Sequence, residues 1–172
     1  MFWILVIIAI AIALSLAAAA NKKRSVSDAG ASYVARDSLF TPAERSFLGV
    51  LENAVGDRFR VFGKVRIADV INVKSASNRT WQSAFNRISA KHFDFVVCES
   101  TTTRVVCAVE LDDQSHNRRA RVARDELVGV VCNKSGLPLL RIQAQAAYNV
   151  RDISAKFGAL VVKEAVVTEI LA

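Results

Sequence analysis

The chain has 172 residues, 52% of them hydrophobic, with 23 Lys and Arg against 16 Asp and Glu. Every charged side chain follows residue 20, so the formal +7 belongs to the segment after it, which has room for one domain of ordinary size. No internal repeat, glycine-rich phosphate loop, zinc-type cysteine spacing or Ser-His-Asp or Cys-His nucleophile arrangement is present. The basic surface suits a phosphate-bearing partner or an anionic membrane face, and solubility alone explains it equally well.

Phe2 to Ala20 is an uninterrupted apolar run with Ser15 as its single polar member. As a helix it is on the order of 28 Å long, enough for the hydrocarbon core of a bilayer. Ala18-Ala19-Ala20 also offers a signal-peptidase-like site, but no Lys or Arg precedes the run. The positive charges follow it, in Asn21-Lys22-Lys23-Arg24. Residues 1–20 are therefore expected to be one transmembrane anchor of the inner (cytoplasmic) membrane. The positive-inside rule then puts the C-terminal domain in the cytoplasm. Residues 21–38, small and polar, are expected to be a linker.

Thr41-Pro42-Ala43-Glu44 opens a helix. Thr41 suits the N-cap, Pro42 the first helical position, and Glu44 the third position of a capping box. Phe47, Leu48, Leu51, Ala54 and Val55 follow at helical spacing, and Gly56 ends the run. Phe59 to Ile67 alternates as a strand does, and Ala68 to Val73 predicts a short helical turn. Trp81 to Ile88 predicts a short helix with Trp81, Phe85 and Ile88 on one side, to which no chemical role is assigned.

His92 to Cys98 and Val105 to Asp113 are apolar, β-rich segments around Glu99-Ser100-Thr101-Thr102-Thr103-Arg104, which predicts a hairpin. Asp94 interrupts the first strand. Glu110 and Asp112 share one face of the second, opposite Val109 and Leu111. Carboxylates gathered at one sheet edge repel unless a proton or cation neutralises them, and a divalent metal with oxygen ligands is the simplest such cation. Taken singly, Asp112 could belong to a polar turn and Asp94 to a buried ion pair. Lys64 or Arg66 could supply a cation to this group, or remain a solvated strand charge. Arg118, Arg119, Arg121 and Arg124 lie just beyond the second strand and could hold phosphates or form a solvated helix face. Asp125 to Cys132 is apolar at helical spacing, Gly136 suits a C-cap, and Leu137 to Ile142 predicts a buried strand. Tyr148 to Phe157 and Leu160 to Leu171 predict two terminal helices. Cys98, Cys107 and Cys132 fall in apolar patterns, where free cysteine behaves as a small hydrophobe.

Asp94, Glu110-x-Asp112, His116, Arg124-Asp125 and Gly136-Leu137-Pro138-Leu139-Leu140-Arg141 together resemble the PD-(D/E)XK nuclease superfamily. Within it they resemble the very-short-patch-repair-like branch and a related uncharacterised bacterial domain family. The resemblance runs from about Leu39 to Ile142. It implies an α/β, restriction-endonuclease-like fold, a mixed central sheet flanked by helices, in a domain over 39–145, with 146–172 as a helical extension. It further implies that Asp94, Glu110 and the Leu111 carbonyl hold Mg2+ or Mn2+. Asp112 would ligate or orient water, His116 would act as acid or base, and Glu44 would face the site from the first helix. Arg121 and Arg124 would hold substrate phosphate. Asp112 stands where the superfamily's namesake lysine is expected, which leaves the group that activates water open. The expected activity is metal-assisted hydrolysis of nucleic acid; the alternative is a non-catalytic nucleic-acid-binding or interaction module on the same fold.

Overall fold

The computed structural model describes residues 32–112 and 118–170, together with Trp3, Ile4, Val6 and Ile10–Ile12; side chains of 118–125 and 163–170 lie outside that description. The chain divides into two units, Met1–Asp37 and Ser38–Ala172. In the first, the six described residues before residue 13 are helical and 32–36 are irregular. No helix among the described residues is long and apolar enough to cross a membrane, and most of the expected anchor and linker lies outside them.

The second unit begins with α1 (Pro42–Val55). The Thr41 hydroxyl accepts from the Glu44 N–H while the Glu44 carboxylate accepts from the Thr41 N–H, and Gly56 ends the helix at φ 73°. Two otherwise orphaned helix-end donors are thus satisfied reciprocally. Then follow β1 (Phe59–Arg66), the single turn α2 (Ile67–Val70) and α3 (Asn78–Ile88). The hairpin is β2 (His92–Glu99) and β3 (Val105–Asp112). After it come α4 (Arg118–Ser135), β4 (Leu139–Gln143) and α5 (Val150–Ile170).

The four strands form one mixed sheet in sequence order, β1-β2-β3-β4. β1 and β2 are antiparallel, as are β2 and β3; β3 and β4 are parallel. A parallel return needs a crossover, which α4 supplies. Side-chain alternation gives the sheet two apolar faces. On one, Phe95, Val97, Cys107 and Val109 pack against Phe47 and Leu51 of α1 and Ile153 and Phe157 of α5. On the other, Val96, Cys98 and Ala108 pack against Ile67 of α2, Ile88 of α3, and Val128 and Cys132 of α4. Burial of both faces explains why β2 and β3 read as nearly continuous apolar runs.

Two features differ from the sequence expectation. The C-terminal region is one helix from Val150, not two, because Ile153 and Phe157 dock it in the core shared with α1 and Gly158 lies within a packed helix. The crossover helix starts at Arg118, well before the apolar periodicity at Leu127, because arginine is a good helix former without being a core residue.

Candidate functional site

The sheet opens at its centre. Pairing of β2 with β3 runs from Cys98↔Val105 to Phe95↔Val109 and goes no further. Beyond that point β2 stays paired with β1 as far as Arg66↔His92, and β3 with β4 as far as Asp112↔Gln143. The two halves part like a fork, and the first residue on each lip is an acid: Asp94 on β2, Glu110 on β3. Both are buried, at 7% and 4% exposure.

The fork has a physical cause. Asp94 Oδ2 accepts a 3.0 Å hydrogen bond from the Leu111 N–H, so a side chain takes a backbone donor that ladder pairing would otherwise engage. The other Asp94 oxygen, Oδ1, lies 3.3 Å from Lys64 Nζ. Gly63↔Phe95 and Val65↔Phe93 are paired, which leaves Lys64 opposite Asp94 between them. Lys64 has φ 55°, a left-handed conformation that costs a side-chain-bearing residue of order 1–3 kcal/mol. Beside it, a Cβ on Gly63 would meet the far edge of the Phe40 ring that stacks on Phe95, so a larger residue there requires that ring to shift.

Lys64 Nζ also donates to Glu44 Oε1 at 2.6 Å. Glu44 thus uses one oxygen to cap α1 and the other to hold the lysine. Burial alone would raise the Glu44 carboxyl, but hydrogen bonds from Lys64 and Thr41 outweigh it and hold the pKa below its ordinary value. Burial likewise pulls the Lys64 ammonium down, and the bond to Glu44 with the charges of Asp94 and Glu44 raises it on balance. Glu44 therefore joins the group at the fork, through Lys64.

On the other lip, Glu110 pairs across the parallel ladder with Arg141. Its Oε1 is a buried atom without a hydrogen-bond donor, although the residue has further interactions. Its charge is felt by Cys132 of α4. Burial first, then Glu110, pushes that thiol up to about 11, with Arg141 pulling the other way. Arg141 Nη1 lies 3.4 Å from Asp112 Oδ1, so Asp112 stands next to an arginine at the end of β3.

The structure thus links Glu44, Asp94 and the Leu111 N–H through Lys64 and Asp94 on one lip, and places Glu110 and Asp112 beside Arg141 on the other. His116 lies outside the described residues. Arg121 and Arg124 are on α4, which follows β3, and their side chains are outside the description. Among the described residues, no group of three or more His, Cys, Asp or Glu side chains could hold a metal ion. The carboxylates of Asp94 and Glu110 and the Leu111 carbonyl are nevertheless an all-oxygen donor set, the kind that Mg2+ takes. In chemical kind, the residues fit.

Two participants carried little signal in the sequence. Lys64 is one of two strand cations, with Arg66, that the sequence offers to this group, and the alternating pattern neither chooses between them nor sets them apart from solvated strand charges. Arg141 lies within an otherwise apolar strand, and only its pairing with Glu110 gives it a place.

Residues 36–160 match the model of a family described as a protein of unknown function, DUF2726. No curated protein and no solved structure matches the chain.

Proposed function

We propose, for a chain that belongs to the DUF2726 family, a nuclease-like domain of the PD-(D/E)XK kind that hydrolyses phosphodiester bonds in nucleic acid with Mg2+ or Mn2+. One observation carries the reading: a sheet forked between β2 and β3, with an acid on each lip and a lysine held against the first. Asp94, Glu110 and the Leu111 carbonyl would hold the ion. When bound, it would supply a Lewis acid toward a phosphoryl oxygen.

The remaining roles belong to the chain. Lys64, fixed by Glu44 and Asp94, keeps a positive charge at the fork and supplies the cation missing from position 112. Water attacks phosphorus, the bond to the leaving sugar oxygen breaks, and that oxygen takes up a proton. His116 has the ordinary pKa range for moving protons near neutral pH. Asp112, steadied by Arg141, orients the water. Arg121 and Arg124 hold flanking phosphates, which a guanidinium grips in a two-pronged manner. The run from Phe2 to Ala20 anchors the domain to the inner membrane, with Lys22 to Arg24 on the cytoplasmic side.

A second reading has its own observation. Lys64 already gives Asp94 a cationic partner, and Arg141 does the same for Asp112. A domain whose acids are neutralised by its own cations can bind nucleic acid without cutting it.

The deciding experiment incubates the full chain with labelled single- and double-stranded DNA and RNA, with Mg2+ or Mn2+, and then with a chelator. Cleavage that stops with the chelator and disappears in Glu110→Gln and Asp94→Asn, at unchanged secondary structure, is the expected result. Binding without cleavage, in a protein whose melting curve ignores the metal, establishes the second reading instead.

A further inference from the structure

Helix α3 is poorly explained by the needs of the core. Of its eleven residues only Ile88 is buried, and residues 78–83 are all exposed. Its apolar stripe is nevertheless well formed: Trp81, Ala84, Phe85 and Ile88 recur at helical spacing. Trp81 is 37% exposed, and its indole stacks on the Phe85 ring with centroids 4.9 Å apart and planes only 8° from parallel. The Trp81 end of this stacked pair therefore reaches solvent, while Ala84 and Phe85 are half-buried and Ile88 is buried.

The charge around it has one sign. Between Asp69 and Asp94 there is no acidic residue, while Lys74, Arg79, Arg87 and Lys91 all fall in that interval. None of these four cations makes an ion pair with a described residue. The helix is also on the same side of the sheet as Glu110. Ile88 packs in the cluster that contains Ala108, which shares a strand face with Glu110 two residues on.

We infer that Trp81 and Phe85 form a stacking platform for an unpaired base, so that the domain takes single-stranded nucleic acid, with Arg79, Arg87 and their neighbours meeting its phosphates. Every base has a π face, so such a platform accepts any sequence. A paired base inside a duplex offers no free face to it. The inference rests on the nucleic-acid reading above and adds the strandedness of the ligand.

The test titrates the full chain, and its Trp81→Ala, Phe85→Ala and Trp81→Phe variants, into a fluorescein-labelled oligothymidylate in a metal-free buffer. A duplex of equal length and vesicles rich in anionic lipid serve as comparisons. The platform predicts that Trp81→Ala and Phe85→Ala each weaken single-strand binding by about tenfold or more. Trp81→Phe, which keeps a ring, should stay within a few-fold of the parent; duplex binding should be weaker than single-strand binding in the parent and in Trp81→Phe, and the two alanine variants should lose that preference while their duplex binding changes little. Single-strand binding that is unaffected by either alanine variant overturns the platform and leaves the nucleic-acid reading intact. Absence of binding to any nucleic acid overturns both. Alanine variants that lose only vesicle binding make the face a membrane contact and overturn the inference in favour of a lipid surface. Trp81→Phe losing as much as Trp81→Ala shows that packing of the indole, not stacking on a base, is at stake, and also overturns it.

Discussion

Asp94 reaches across seventeen residues of sequence to accept the Leu111 N–H at 3.0 Å, and this one bond both parts β2 from β3 and fixes the acid on the lip of the opening. Its removal separates stability from chemistry. Asp94→Ala leaves a buried backbone donor without its acceptor and should cost about 1–3 kcal/mol. Asp94→Asn keeps a carbonyl oxygen for that donor and should cost less, yet lose any metal-dependent activity, since the ligand charge is gone. Denaturant melts of both variants, read beside a cleavage assay, check this. Equal destabilisation by the two would show that the charge, not the acceptor, holds Asp94 in place.

Lys64→Met should destabilise the domain at neutral pH by about 1–3 kcal/mol, because it removes the cation that the half-buried Glu44 and the buried Asp94 share. The sign of the pH dependence follows from the two shifts. Glu44 is lowered from 4.5, so its contribution is complete above that value and is lost as pH falls through the lowered one. Lys64 is raised from 10.5, so its contribution is complete below that value and is lost as pH rises through the raised one. The gap between parent and variant should therefore be widest on the neutral plateau and narrow toward both extremes. A gap that stays constant from pH 7 down to pH 3 would show that the pair contributes nothing.

Gly63→Ala places a methyl group in the ring of Phe40, and overpacking of this kind costs typically about 1–3 kcal/mol. Phe40→Ala removes the obstacle at its own cost in aromatic packing on Phe95. The double variant should then be more stable than the sum of the two single losses predicts, a coupling that a double-mutant cycle in urea measures directly. Additive losses would mean that the ring simply swings away.

All three cysteines are buried and outside any disulfide. The Cys132 thiol is pushed up to about 11 and burial also raises Cys98, so thiolate is scarce at neutral pH. Alkylation at pH 7.5 followed by mass spectrometry should find both nearly unlabelled in the native protein and labelled within minutes in denaturant. Rapid native labelling of Cys132 would mean that α4 opens away from β3.

Much of this architecture can be read from the residues because it is written in local chemistry. Thr41, Pro42 and Glu44 announce α1 through a capping box, and Gly56 announces its end. The apolar runs on either side of Glu99 to Arg104 announce the hairpin, which the structure has within a residue or so. Asp94, Glu110 and Asp112 are conspicuous because acids in buried strands need a reason. Lys64 is not, since its place depends on a left-handed backbone angle that no residue type around it signals. Arg141 depends on the register of a parallel pair formed thirty-one positions apart in sequence, between Glu110 and itself, and parallel register leaves no turn to read. The long α5 likewise owes its continuity to docking on α1, where the sequence pattern gives two helices parting after Phe157.

The backbone irregularity at Lys64 has a bearing on the behaviour of many molecules together. β1 is an edge strand, and an edge that is flat and regular is a template on which a second chain can add its own strand. Here the edge is interrupted near its middle by a residue with φ 55°, which breaks the regular row of backbone groups. An incoming strand would meet a misaligned row of amides. The kink that sets a lysine against the fork thus also keeps neighbouring copies from zipping together at high local concentration.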